Sequence, residues 1–152
     1  MLASIPSPSF NVFEIGPLRI HIYGILMGIA VATAWVLSAR RYQRFGGQLA
    51  TGESAGFWAI AIGFIGARLA FVLPRLGDYL DNDWVRIFKI WEGGIALYGG
   101  LLFGTAAALF VVHRRRGNLL MFADAVAVGL PAAQAIGRWG NYFNQELFGT
   151  PT

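Results

Sequence analysis

The sequence has no cysteine, only two histidines, and few charged residues. Without cysteine there is no disulfide framework, no thiolate metal site and no cysteine nucleophile. His21 and His113 are too few and too far apart to suggest a metal site. Charged residues make up 13% of the 152 positions and hydrophobic residues 56%, with a mean hydropathy of +0.54. That is too apolar for an ordinary soluble domain and points to an all-α integral membrane protein. The length allows a single domain over residues 1–152. A net charge of +4 would by itself admit nucleic acid. Its distribution argues against that partner: Arg40, Arg41 and Arg44, and then Arg114–Arg116, form two short blocks, each directly after an apolar run. This is the pattern of cytoplasmic loops in membrane proteins. The Pro-containing lead has no cation before Arg19 and no A-x-A site, so no secretory signal peptide is expected.

Four spans are predicted, over about residues 20–37, 55–73, 95–112 and 119–136, each near the length a bilayer requires. Small residues recur every fourth position, as at Ala55, Ala59, Gly63 and Ala67, or Gly100, Gly104 and Ala108, and again from Ala125 to Gly137. Such stripes let helix backbones approach closely, as does Gly24-x-x-x-Gly28 in the first span. A polar loop is expected over 39–54, broken at Gly46-Gly47. Residues 74–94 carry Arg75, Arg86 and Lys89 against Asp78, Asp81, Asp83 and Glu92, without the basic excess of the other loops. This connection is expected outside, with Trp84, Phe88 and Trp91 on an interfacial helix. Asn118 is a candidate N-cap of the fourth span, with Asp124 expected in its first turn.

The apolar texture breaks at residues 137–149, where Arg138, Asn141, Asn144, Gln145 and Glu146 interleave with Trp139, Tyr142 and Phe143. With both basic loops inside, this stretch lies at the outer end of span four. Tyr23, Arg68 and Tyr98 fall at the outer ends of the other three spans, so all four contribute to one layer. Taken as helix, Arg138, Asn141 and Gln145 share a face, with Trp139, Tyr142, Phe143 and Glu146 on another. A planar guanidinium beside amides suits a phosphate, and the anion of that layer is a phospholipid headgroup. Tyr23 serves either as an interfacial anchor or as a substrate contact. Arg68 either snorkels, pairs with an acidic residue, or lines a polar cavity. On spacing alone the cluster is an anionic-lipid site, in an enzyme or in a non-enzymatic lipid-binding subunit.

The run Gly137-Arg138-x-Gly140-Asn141-Tyr142-Phe143-Asn144-x-Glu146-x-x-Gly149 closely resembles the signature of the bacterial prolipoprotein diacylglyceryl transferases, which normally has Phe at the place of Tyr142. His21-Ile22-Tyr23-Gly24, Gly66-Ala67-Arg68-Leu69, and Trp91-Glu92-Gly93-Gly94 followed by Tyr98-Gly99-Gly100 resemble three further family motifs in the same order. The resemblance implies a multi-pass enzyme of the bacterial inner membrane, N-terminus outside, its site facing the outer leaflet. It implies transfer of the diacylglyceryl group of phosphatidylglycerol to the lipobox cysteine of a prolipoprotein, without metal or organic cofactor. Arg138, Asn141 and Tyr98 are then the expected catalytic residues. Arg138, Tyr23, Arg68, Asn144, Glu146 and Gly149 are the expected substrate-binding residues.

Two departures from the family follow. Many members carry His-Gly-Gly where this chain has Tyr98-Gly99-Gly100, and a phenol is a poor base at neutral pH. Tyr98 is thus a hydrogen-bond donor, or the base lies elsewhere. The family also continues through further spans to about seven, with another essential arginine there, so this chain is expected to be the N-terminal half of that fold.

Overall fold

In a computed structural model of the chain, residues 10–15, 18–82, 84–89 and 93–146 are described. Four helices are long and apolar enough to cross a membrane. They are α1 (Ile22–Arg44), α2 (Leu49–Val72), α4 (Leu97–Arg114) and α5 (Leu119–Phe143). At 1.5 Å per residue the 23 residues of α1 reach about 34 Å and the 18 of α4 about 27 Å, against a hydrocarbon core of about 30 Å. The chain is an all-α, multi-pass membrane protein with one small β-hairpin.

Backbone stop signals, rather than charges, set the helix ends. The loop expected over 39–54 shrinks to residues 45–48, because arginine is a good helix former and Arg40, Arg41 and Arg44 simply extend α1. The helix stops where Gly46 takes φ 99°, and the Gly46 and Gly47 N–H groups donate back to the Gln43 and Tyr42 carbonyls. That is the Schellman arrangement. The α4 helix ends the same way, with Gly117 N–H on the Val112 carbonyl at 2.8 Å, but the left-handed residue is Arg116. Asn118 caps α5 as expected, its Oδ1 accepting from Met121 N–H at 3.0 Å. Asp124 lies beyond the first turn and is exposed, so it does not cap.

Ile20 and His21, expected in the first span, instead belong to a hairpin. Strand β1 (Val12–Ile15) pairs antiparallel with β2 (Leu18–His21), Val12 opposite His21. At the far end of α2 a 3-10 turn (Leu73–Arg75) leads into the short α3 (Leu76–Asn82), and a second 3-10 turn covers Trp84–Ile87. The surface helix expected over 74–94 is therefore broken into short pieces, with Trp84 and Phe88 exposed.

The spans pack as two pairs. Helix α2 lies along α4, and α1 along α5. Small residues set both distances: a Cβ on Gly104 would stand 2.8 Å from the Ala59 carbonyl, and one on Gly129 2.8 Å from the Ala34 carbonyl. The stripes of α2, α4 and α5 thus face partners, whereas Gly24 and Gly28 face open space. The pairs meet at the end that carries the arginine blocks. There Tyr42, Ala55, Ala108, Val112, Phe122 and Ala125 form one buried cluster drawn from all four spans. Tyr42 meets Phe122 edge-on at 5.5 Å, Trp35 Nε1 donates to the Glu53 carbonyl at 2.9 Å, and Arg115 donates to Ser54 Oγ at 3.2 Å. Tyr23, Arg68, Tyr98 and Arg138 all sit at the opposite end.

Candidate functional site

The signature is helical through Phe143 and then turns sharply. Gln145 is left-handed at φ 56°, its N–H donates to the Tyr142 carbonyl, and Glu146 N–H donates to the Asn141 carbonyl at 3.0 Å. This left-handed ending takes Gln145 off the face it was expected to share with Arg138 and Asn141. It also folds Glu146 back, so that Asn144 Nδ2 donates to Glu146 Oε1 at 2.8 Å. Aromatic rings brace the turn: Trp139 against Tyr142 at 6.1 Å, Tyr142 against Phe143 at 5.6 Å, and Phe143 against Phe10 of the lead at 6.3 Å. The lead itself is held to α1 by Ile22 N–H on the Asn11 carbonyl.

Tyr23 on α1 and the signature on α5 come together at Gly140, whose missing side chain leaves room for the tyrosine ring. Arg138 is exposed two residues earlier on α5, about half a turn round the helix from Gly140. Among the described residues, the side chains of Tyr23, Arg138 and Asn141 have no hydrogen-bond or ion-pair partner. A guanidinium and an amide with no partner among the described residues, at the end of a membrane span, are free to bind water or a ligand.

The other arginine of this layer is in the opposite condition. Arg68 on α2 donates from Nε to the Ile87 carbonyl at 2.9 Å, from Nη1 to those of Gly93 and Gly94 at 2.6 and 2.8 Å, and from Nη2 to those of Arg86 and Lys89 at 2.6 and 3.4 Å. Five bonds match the five N–H donors of a guanidinium. Among the described residues Arg68 pairs with no carboxylate, and with these five bonds it has no donor left for a lipid phosphate. Spacing alone could not show this, because its partners are backbone carbonyls, which carry no residue signature.

Tyr98 stands in the first turn of α4, 84% exposed, with no hydrogen bond or ring contact among the described residues. The structure therefore joins Tyr23 to the signature helix, and Asn144 to Glu146, while Tyr98 and Arg68 belong to the α2–α4 pair. Trp91, Glu92 and Gly149 lie outside the described residues. Sequence reading passed over Pro131 within α5, whose missing N–H interrupts the helix ladder in mid-span.

Comparison with known proteins identifies the family. The family model described as prolipoprotein diacylglyceryl transferase matches residues 11–152. A curated phosphatidylglycerol–prolipoprotein diacylglyceryl transferase of Streptomyces griseus is 43% identical over 153 residues, covering 99% of this chain and 47% of the relative. Relatives of the same name from Bifidobacterium longum and Frankia alni are 45% and 38% identical, covering 49% and 41% of their own lengths. The chain thus spans about half the length of the curated relatives it matches. With the family model matching nearly its whole length, the chain belongs to the prolipoprotein diacylglyceryl transferase family.

Proposed function

We propose that the chain carries the phospholipid-phosphate site of a phosphatidylglycerol–prolipoprotein diacylglyceryl transferase of the bacterial inner membrane. The observation that supports this most is the contrast between two arginines of one layer. Arg68 spends all five donors on its own fold, while Arg138 is exposed and unpaired among the described residues, on the family's signature helix.

In the reaction a cysteine thiolate of the lipobox attacks the glyceryl carbon of phosphatidylglycerol. A carbon–sulfur bond forms, the carbon–oxygen bond to phosphate breaks, and glycerol phosphate leaves with the electron pair. The thiol proton goes to a base. The nucleophile belongs to the substrate, consistent with a chain that has no cysteine. Charge grows on the departing phosphate, so a fork of donors there lowers the barrier. Arg138 supplies that fork, with Asn141 beside it. Asn144, Glu146 and Gly149 shape the pocket, Tyr23 contacts the lipid, and Tyr98 donates a hydrogen bond rather than acting as base. No metal or organic cofactor takes part.

The test is transfer of labelled diacylglyceryl to a lipobox peptide by a chimera in which residues 1–152 replace the matching half of the Streptomyces griseus relative. Arg138→Ala should lower transfer by about 10²–10³, the usual cost of losing one transition-state donor. Full activity of that variant would overturn the assignment. Phosphatidylglycerol binding with no turnover, in a chimera that is folded, would favour a non-enzymatic anionic-lipid subunit instead.

A further inference from the structure

We propose that Arg68 is a positioning residue: it pins the connection between α2 and α4, and so fixes where Tyr98 stands. The inference rests on the transferase reading for its catalytic consequence, and on geometry alone for the clamp.

The carbonyls that Arg68 gathers come from both sides of the connection. Arg86, Ile87 and Lys89 belong to the 3-10 turn and its exit, and Gly93 and Gly94 to the approach to α4. A turn leaves carbonyls without helix partners, and in an apolar layer each must find a donor. One guanidinium serves five of them, reaching across 18 to 26 residues of sequence. Gly93 and Gly94 present both carbonyls to the same nitrogen because they take φ 89° and 84°, a conformation glycine adopts without penalty. A Cβ on Gly94 would stand 2.7 Å from Arg68 Nη1. Gly94 therefore leaves the guanidinium the space that any side chain there would take.

The residue before Arg68 completes the attachment. The Ala67 carbonyl accepts from Ala96 N–H at 2.9 Å, and Ala96 is the N-cap of α4. Ala67 and Arg68 together hold residues 93, 94 and 96, and Tyr98 follows two residues later in the first turn. Nothing among the described residues restrains the Tyr98 side chain itself, so its place follows the start of α4, which this attachment holds together with the close packing of Gly99 and Gly100 on α2.

The chain has no cysteine, which makes single-cysteine probes clean. Ile87→Cys, half-buried, reports the clamped connection, and Met121→Cys, also half-buried, reports the far end of the bundle. In detergent micelles, adding Arg68→Gln should speed maleimide labelling at position 87 at least about tenfold and leave position 121 within about twofold, as for a local opening. Arg68→Lys, which keeps the charge but concentrates three donors at one point, should fall between. In the chimera, Arg68→Gln should lower kcat with KM for phosphatidylglycerol within about twofold. Unchanged labelling at position 87 overturns the clamp, and so does equal acceleration at both positions. A raised KM with kcat preserved makes Arg68 a lipid ligand and overturns the positioning role. If the chimera with Arg68 intact is inactive, the transferase reading fails separately, and the labelling comparison still decides the clamp.

Discussion

The ring of Tyr23 lies on the bare backbone of Gly140: a Cβ there would stand 3.0 Å from Cδ2 and 3.4 Å from Cε2. This contact joins the first and last family motifs of the chain, one on each helix of the α1–α5 pair. The second and third motifs are joined in the other pair by Arg68 and by Ala67 with Ala96. The four motifs are thus two interlocked couples, each zipped by its own close approach.

Substitution at Gly140 should separate packing from helix propensity. Gly140→Val drives methyl groups into the Tyr23 ring, and overpacking of this kind costs about 1–3 kcal/mol. Gly137→Ala meets only Met27 Sδ at 3.7 Å, an ordinary contact, and gains up to about 1 kcal/mol of helix propensity. Unfolding in mixed micelles should show the first variant less stable and the second unchanged or more stable. Equal loss in both would mean that Tyr23 does not pack on Gly140.

The adjacent glycines of the third motif should differ in the same way. At Gly99 a Cβ would run into Ala70 and stand 2.7 Å from the Gly66 carbonyl, which is backbone and cannot move aside cheaply. At Gly100 the nearest atoms are Ala67 Cβ at 3.3 Å and the Gly63 carbonyl at 3.4 Å. Gly99→Ala should therefore cost about 1–3 kcal/mol and push α4 off α2, while Gly100→Ala should cost less than about 1 kcal/mol. Thermal unfolding of the two variants in one detergent checks the order.

Much of this was legible in the sequence, and what was hidden has a common cause. Four spans, the two arginine blocks, the cap at Asn118 and the small-residue stripes of α2, α4 and α5 follow from side-chain chemistry and periodicity; which helices those stripes join does not. The hairpin at Val12–His21 did not, because Ile20 and His21 run straight into the apolar pattern of α1. Helix ends were missed where arginines continue a helix past the apolar run, as at Arg44. The partners of Arg68 were invisible because carbonyls are the same in every residue. Gly24-x-x-x-Gly28 reads as a packing motif, but in this fold α1 turns Ala34 and Ser38 to α5 instead.

Two left-handed residues that are not glycine offer a stability test at opposite ends of the bundle. Arg116 and Gln145 take φ 55° and 56°, where a side chain costs about 1–2 kcal/mol in the left-handed conformation. Arg116→Gly should stabilise the chain by up to about 1 kcal/mol, offset in part by the greater freedom of glycine in the unfolded chain. Gln145→Gly should also gain at most about 1 kcal/mol. Chemical denaturation in micelles measures both, and a loss of stability at Arg116→Gly would contradict the conformation described there.

The final prediction concerns sidedness, which fixes the leaflet the site faces. All six arginines at positions 40, 41, 44, 114, 115 and 116 lie at the end where the two pairs converge, and Arg115 bonds across it to Ser54 and the Ala50 carbonyl. Lys and Arg near span ends hold a loop in the cytoplasm. Cells carrying Gln48→Cys, exposed in the loop after the first arginine block, should then resist a membrane-impermeant maleimide until permeabilised, and cells carrying Phe88→Cys should react at once. Exchanging all six arginines for glutamine removes the retaining charge, and part of the population should then label at position 48 from outside. Labelling of position 48 in intact cells with the arginines present would place Arg138 on the cytoplasmic leaflet, and the lipobox cysteine would have to be reached from there.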